Sequence, residues 1–556
     1  MTTVRNVITG RSAFLALLKS EGITHLFGNP GTTELPVMDG LKDHPDLKYV
    51  LALQEALVVA MADGYSRASG ELVACNVHVA PGLGNAMGSL FNAKFTGTPM
   101  IVTAGQQEIG HGLTEPLLYD PLVPIATPMV KWATEVHRIE DLPRIVRRAA
   151  KIATTAPTGP VFISLPGDIL NAAAGLDMMA STRVDTRVRP SDDALDALAR
   201  RLISAERPVI IVGDEIVKSD ALAVAARFAE AIGAAVYQQT VPYGAHFLSE
   251  NPCYVGGLSR DQKNVRDVLA PYDLLIALGA DPLRMSVMST IDPKPDTLSI
   301  VQIGQVDWDL AKNYAVEIAV KADVRDTLAA LLPRLEAIGG EALAKAAATR
   351  RAAIATDNWT TRRKALAARI EKNAAKSPID PDWLALTLVE ALPADAVLVN
   401  EALTSGRYIP ELFAYRDRYC YHGLASGGIG WAVPGSVGVA LAQAPRPVCC
   451  YVGDGSAMYS IQALWTAAHF KLPITYVIPN NGGYRILKQR LKAFHGNENY
   501  IGMDIADPAI DFAGLATAMG VPGERVADPE KLRETLHRAF RAGGPRLVEV
   551  MVEGSV

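Results

Sequence analysis

In the stretch CYVGDGSAMYS, residues 450–460, a single carboxylate, Asp454, stands between two glycines at the end of an apolar run. Further on, VIPNNGGY (477–484) closes a second apolar run with an Asn-Asn pair. A hard divalent cation such as Mg2+ takes oxygen ligands in an octahedral array. It draws one or two from the protein and the rest from substrate phosphates and water. An acid at one strand end and an amide oxygen at the next, with backbone carbonyls nearby, would meet that demand. Gly453 and Gly455 let the backbone approach closely, and Ser456, opening the next helix, offers a hydroxyl and a helix N-terminus to a phosphate. Taken singly, GDG reads as a tight turn and NNGG as a loop. Together, each following an apolar strand, they read as a metal–phosphate site.

Such strand ends must be held by parallel sheets. Short β-rich runs alternate with helical patterns from end to end, which predicts an α/β fold. The first block contains THLFGNPG, LVACNVHVAPG, PMIVTAGQQ and GPVFISLPGDIL; each apolar run ends in Gly, Pro or Asn, where open α/β sheets carry their ligands. The pattern lapses into a polar linker at 176–194. It resumes with PVIIVGDEI, DLLIALGADPLR and SIVQIGQV, and again, after an Ala/Arg/Lys-rich segment at 336–376, with AVLVNEALTS, PVCCYVGDG and LPITYVIPNN. The Ala-rich segment reads as an exposed helix joining domains. Three doubly wound parallel-sheet domains are predicted, over 1–180, 190–335 and 375–556.

Composition narrows the function classes. The chain of 556 residues is 49% hydrophobic and 20% charged with a formal net charge of −5, which argues against a nucleic-acid surface. Its five cysteines form no CxxC, and a vicinal pair inside an apolar run suits a reducing cytosol rather than a disulfide scaffold. No apolar stretch reaches the length needed to cross a bilayer, and the N-terminal amphipathic pattern lacks a cleavage site, so a cytoplasmic protein is expected. Three glycine clusters fail the G-x-G-x-x-G fingerprint, because Met87, Val433 and Met458 stand where its third glycine belongs. A nicotinamide enzyme is discounted. There is no G-x-x-x-x-G-K-[ST], and the histidines show no zinc spacing.

The stretch GDGSAMYSIQALWTAAHFKLPITYVIPNNGGY resembles the GDG…NN signature of the thiamine-diphosphate-dependent enzymes. The resemblance runs through the whole chain, in the order pyrimidine-binding, central and diphosphate-binding domains. FGNPGTTELP (27–36), LALQEALVVAMADGYSRAS (51–69), VHVAPGLGNAMGSLFNA (77–93) and VTAGQQ (102–107) are most similar to the benzoylformate decarboxylases. It implies a thiamine diphosphate and Mg2+ enzyme that decarboxylates 2-oxo acids to aldehydes. The alternative is a carboligase or lyase on the same scaffold, of the acetolactate synthase or 2-hydroxyacyl-CoA lyase kind. It also implies a homodimer or tetramer with the site between subunits. No motif signals a central-domain FAD.

Carried over residue by residue, the resemblance makes Glu55 the glutamate that protonates the cofactor's aminopyrimidine; a buried carboxyl lacking any partner would be costly, which favours that role. Asp454, Asn481 and the Gly483 carbonyl become the metal ligands. Gly453, Ser456, Tyr484, Thr404 and Gly428 become cofactor contacts, and Ile429 in GGIGWA the aliphatic wedge under the bent cofactor. His78 in NVHVAPG, ending an apolar run beside a Pro-Gly turn, becomes the acid–base histidine, a role that suits an imidazole near neutral pH. Thr32 stands where the decarboxylases carry a serine on the substrate carboxylate. Two departures stand out. Ser286 in LGADPLRMSVM occupies the place of a second pocket histidine, with His111 and His246 as candidate substitutes. Arg490 replaces an aromatic side and would suit a second anionic group on the substrate.

Overall fold

Three parallel sheets carry the chain, together with one short antiparallel ribbon in which Val7–Thr9 pairs with Ala173–Gly175. The computed structural model describes residues 7–179 and 182–556. In the first sheet the strand order is Lys48–Leu51, His25–Gly28, Val73–Val77, Met100–Gln106, Pro160–Pro166, Ala133–Glu135, all parallel. Its central strands Val73–Val77 and Met100–Gln106 are buried along their whole length. They therefore read as continuous apolar runs rather than alternating ones. The sheet of the last block orders Val397–Glu401, Val448–Val452, Ile474–Asn480, Arg546–Met551 and Gly523–Val526, again parallel.

Two helices of the first block position the candidate site. Glu55–Ser69 starts on Gln54, whose side-chain oxygen accepts the N–H of Ala56, and ends on Gly70 in the left-handed conformation. Nearly all its residues are buried, the polar Glu55, Asp63 and Ser66 among them. Val79–Thr96 starts directly after His78. The Pro-Gly turn expected there is instead the first turn of this helix. The missing N–H of Pro81 costs nothing at that position, where no intrahelical partner exists.

The chain forms two units. One contains 1–185, 391–404 and 424–556, and thus the sheets of the first and last blocks; the other contains 186–390 and 405–423. Within the first unit one apolar cluster joins the two sheets, taking in Val58 and Met61 from the Glu55 helix and Val433 and Val437 from the helix Ala432–Gln443. A polar pin crosses the same packing. The indole N–H of Trp431 donates to the fully buried carboxylate of Asp63 at 2.7 Å, and the Arg67 guanidinium lies 4.4 Å over the Trp431 ring.

The second unit holds a six-stranded parallel sheet ordered Tyr254–Gly257, Ala235–Gln238, Pro208–Val212, Leu274–Leu278, Ser299–Gly304, Ile318–Lys321. The Ala-rich segment belongs to this unit and is not a free connector. It forms part of the helical stretch Val324–Ala355, interrupted at Gly340, followed by Trp359–Ile370. Leu343, Ala347 and Trp359 are buried there. Arg350 donates to the carbonyls of Ile232 and Ala205, at the ends of two neighbouring helices, where a cation satisfies otherwise unpaired carbonyls. An Ala/Arg composition looks solvent-facing in sequence because it hides this capping use of arginine.

Candidate active site

Adjacent parallel strands of the last sheet deliver three acidic or amide groups at their carboxyl ends: Glu401, Asp454 and the Asn480–Asn481 pair. Asp454 opens the short helix Asp454–Ala457 and is 4% exposed. One of its oxygens accepts the N–H of Gly455 at 2.8 Å. The other accepts those of Asn481, Gly482 and Gly483 at 3.0, 2.9 and 3.3 Å. Burial pushes its carboxyl above the ordinary range, and these N–H groups pull the other way. The carboxylate thereby gathers the turn that carries Asn481 and the Gly483 carbonyl.

The two asparagines divide the work. Asn480 donates to the buried carboxylate of Glu549 at 2.7 Å and accepts from Gly482 at 3.1 Å, so it shapes the turn. The side chain of Asn481 makes no hydrogen bond among the described residues, which leaves its oxygen for a ligand. A carboxylate, an amide oxygen and a carbonyl form an all-oxygen set, the donor chemistry a hard divalent cation takes. The ring of Tyr484 lies against Gly455.

The loop before Ala432–Gln443 lies beside this set. Gly428 and Ile429 sit between two fixed points. Asn92 donates to the Gly428 carbonyl at 2.8 Å on one side, and Glu401 accepts the N–H groups of Gly430 and Ala432 at 2.5 and 2.7 Å on the other. Gly430 has φ +92°, and a Cβ there would meet that of Tyr459 at 2.5 Å, so only glycine fits. Glu401 is 2% exposed, and burial pushes its carboxyl up to about 7 despite those N–H groups and the Ser456 hydroxyl. Thr404 lies in the turn just after Glu401, half-buried.

The first sheet builds a second cluster, also at strand carboxyl ends. Glu55 is 7% exposed and accepts from the amides of Asn29 at 3.3 Å and Asn85 at 3.0 Å. His78 follows the strand Val73–Val77, and its Nδ1 lies 2.7 Å from Oε2 of Glu34, a carboxylate with no exposure. Glu34 is itself fixed by the N–H groups of Gly31 and Gly105 at 2.9 and 2.7 Å and the Thr33 hydroxyl at 2.9 Å. A Cβ on Gly31 would fall 2.1 Å from His78 Nδ1, so the glycine of NPG makes room for the imidazole. Val79, next to His78, is held at φ +38°, a conformation a β-branched residue adopts only under constraint. Thr32 is exposed at the start of the same turn.

The remaining candidates scatter. Ser286 and Arg490 are exposed; Arg490 lies over the ring of Phe494 on its own helix, at 5.9 Å. His111 is in an exposed loop near Glu108, and His246 is fully buried inside the second unit, 3.8 Å from Asp214. Glu34, Glu401, Asn29 and Asn85 escaped the sequence reading. Glu401 carries the same signal as Asp454, an acid ending an apolar run (AVLVNE), and Glu34 follows the NPG turn at capping-box spacing. The Glu55 and Asp454 clusters share no hydrogen bond within the chain among the described residues.

Comparison with known proteins gives the same sites a context. Residues 8–117 match the N-terminal TPP binding domain of thiamine pyrophosphate enzymes, 195–331 their central domain and 406–550 their C-terminal TPP binding domain. The chain is 31% identical over 547 residues to a benzoylformate decarboxylase from Pseudomonas aeruginosa, covering 98% of each. It is 28% identical over 560 residues to a putative acetolactate synthase large subunit from Mycobacterium tuberculosis, covering 99% of this chain and 100% of that one. The structure of a thiamine diphosphate-dependent 4-hydroxybenzoylformate decarboxylase from Rhodococcus jostii RHA1 superposes with a TM-score of 0.86 at 30% identity, over 99% of this chain and 100% of that one.

Proposed function

The chain belongs to the thiamine pyrophosphate enzymes, and on that footing we propose that it is a thiamine-diphosphate- and Mg2+-dependent decarboxylase of 2-oxo acids, releasing CO2 and an aldehyde. The observation that carries this reading is the His78–Glu34 pair, a proton-handling couple built on the FGNPG turn and set beside the Glu55 cluster. Bound thiamine diphosphate supplies an electron sink that lets CO2 leave a 2-oxo acid. The chain's own residues bind, orient and move protons. Asp454, Asn481 and the Gly483 carbonyl would hold the metal, with Gly453, Ser456, Tyr484 and Thr404 around the diphosphate and Ile429 and Gly428 under the bend. Glu55 would share a proton with the cofactor's aminopyrimidine, its position set by two amides. Glu34 keeps a proton on Nδ1 of His78, which leaves Nε2 to exchange a proton with the reacting group. Thr32 would meet the substrate carboxylate through its hydroxyl.

A second copy of the chain completes the site in this reading. The Glu55 and Asp454 clusters share no hydrogen bond within one chain among the described residues. Apolar side chains stand exposed near both: Leu35 and Leu53 near the first, and Leu403, Met458 and Tyr459 near the second. A homodimer or tetramer would cover them. No described helix is long and apolar enough to cross a membrane.

The second reading is a carboligase on the same scaffold. It is favoured by Ser286, which cannot titrate where the decarboxylases carry a histidine, and by the synthase among the relatives. A panel of aromatic, branched and acidic 2-oxo acids, run with and without acceptor aldehyde, separates the two. Stoichiometric CO2 and free aldehyde from single acids supports decarboxylation; products with a new C–C bond formed at the rate of CO2 release would replace it with ligation.

A further inference from the structure

Glu401 has no part in the proposed reaction, yet it is a buried acid of the last sheet held by two backbone donors. It ends the strand Val397–Glu401, is 2% exposed, and its two oxygens accept the N–H groups of Gly430 at 2.5 Å and Ala432 at 2.7 Å. The two N–H groups flank the N-cap of the helix Ala432–Gln443, where no intrahelical partner exists. A carboxylate from a neighbouring strand thus does the work a local N-cap residue would do; the side chain of Trp431, at the cap position, accepts no N–H of its own helix.

The carboxylate holds one flank of a loop of the candidate site. The clamp on Gly430 and Ala432 fixes the C-terminal flank of Ile429, while Asn92 fixes the other flank through the Gly428 carbonyl. Left-handed Gly427 and Gly430, at φ +89° and +92°, would otherwise let the loop swing. The clamp thus ties the Ile429 loop to the strand Val397–Glu401, which pairs with the strand Val448–Val452 that leads into Asp454.

We propose that Glu401 is a positioning residue that locks the Ile429 loop to the carboxyl end of the strand Val397–Glu401 before any cofactor arrives, so that the wedge is preorganised. The inference rests on the proposed cofactor for its functional meaning, but the lock itself is a property of the cofactor-free protein. A shape-preserving Glu401→Gln change keeps one acceptor oxygen and places an NH2 against an N–H, which breaks half the clamp.

The test is backbone hydrogen exchange on the cofactor-free full-length protein, followed by thiamine diphosphate titration in the presence of Mg2+. In the wild type the amides of Gly430 and Ala432 should exchange far more slowly than that of Gly427. In E401Q these two amides should exchange roughly tenfold faster or more, with the strand Val73–Val77 unchanged. Cofactor affinity should fall, and kcat at saturating cofactor should fall with it. A merely structural role would speed exchange throughout and lower kcat only through lost protein. Unchanged exchange at Gly430 and Ala432 in E401Q overturns the proposal. If E401Q does not accumulate as folded protein, the wild type decides alone: amides of Gly430 and Ala432 that exchange as fast as Gly427 refute the lock. Protected amides with no cofactor binding at all would instead leave the lock standing and refute the cofactor reading.

Discussion

His78 and Glu34, far apart in sequence, meet at 2.7 Å because neighbouring parallel strands His25–Gly28 and Val73–Val77 end side by side and hand over to the turns that carry them. The carboxylate has no solvent and two backbone donors of its own, so its geometry is set before the imidazole arrives. His78→Ala should lower kcat by about 10²–10⁴-fold, the range for a positioned acid–base group. Glu34→Gln should cost less while leaving thiamine diphosphate affinity in place, as steady-state kinetics and calorimetry would show. A wild-type rate in His78→Ala would reduce the pair to packing.

Glu55→Gln separates binding from activation. A glutamine keeps one acceptor oxygen for these amides, and an asparagine turned over presents its own oxygen to the new NH2, so the cluster should keep its shape. Cofactor binding should stay within a few-fold of wild type while turnover is abolished, in the range expected for losing a proton-sharing group. Full activity in this variant would remove Glu55 from the chemistry.

The second unit offers a pH test away from the site. Glu411 is half-buried with one carboxyl oxygen shut away from solvent and without a partner, and burial pushes its carboxyl up to about 7 from an ordinary 4.5. Because its folded pKa is raised, the folded chain binds more protons than the unfolded chain between those values. Stability should therefore fall as pH rises from about 4.5 to about 7, by up to about 3 kcal/mol. Glu411→Gln should flatten that window, seen as a smaller drop in apparent Tm between pH 5 and pH 7.5. Parallel curves for the two proteins would contradict it.

Trp431→Phe probes the pin between the two sheets of the first unit. It keeps the ring and removes the donor to Asp63, whose carboxyl burial has raised. Leaving that acceptor short of a partner should cost about 1–3 kcal/mol in denaturant unfolding; an unchanged midpoint would show that Thr96, Thr98 and Arg67 suffice.

Part of the candidate site was legible from the sequence because ligands of parallel sheets gather where apolar strands stop, which singled out Asp454 and the Asn pair, while the family resemblance supplied Glu55 and His78. Asp454, Asn481, Glu55 and His78 each end or follow such a run, and all stand at strand carboxyl ends. Glu34 and Glu401 were not read. One follows NPG at capping-box spacing and the other ends an apolar run, but the distant backbone N–H groups they engage, of Gly105 for Glu34 and of Gly430 and Ala432 for Glu401, leave no residue signature. The Ala/Arg segment misled for a related reason, since arginines that cap helix ends look like surface charge until the carbonyls are in view. Pro81 misled because proline marks turns and first helical turns alike.

Asn481 gives the sharpest test, since its side chain makes no hydrogen bond among the described residues and its loss should leave the fold untouched. Thiamine diphosphate is titrated calorimetrically into cofactor-free protein, wild type and Asn481→Ala, with Mg2+ and with chelator. The account predicts binding by the wild type only with the metal, and affinity in the variant weaker by roughly tenfold or more, about 1.4 kcal/mol per decade. Equal affinity in the two proteins, or wild-type binding undiminished by chelator, would contradict it.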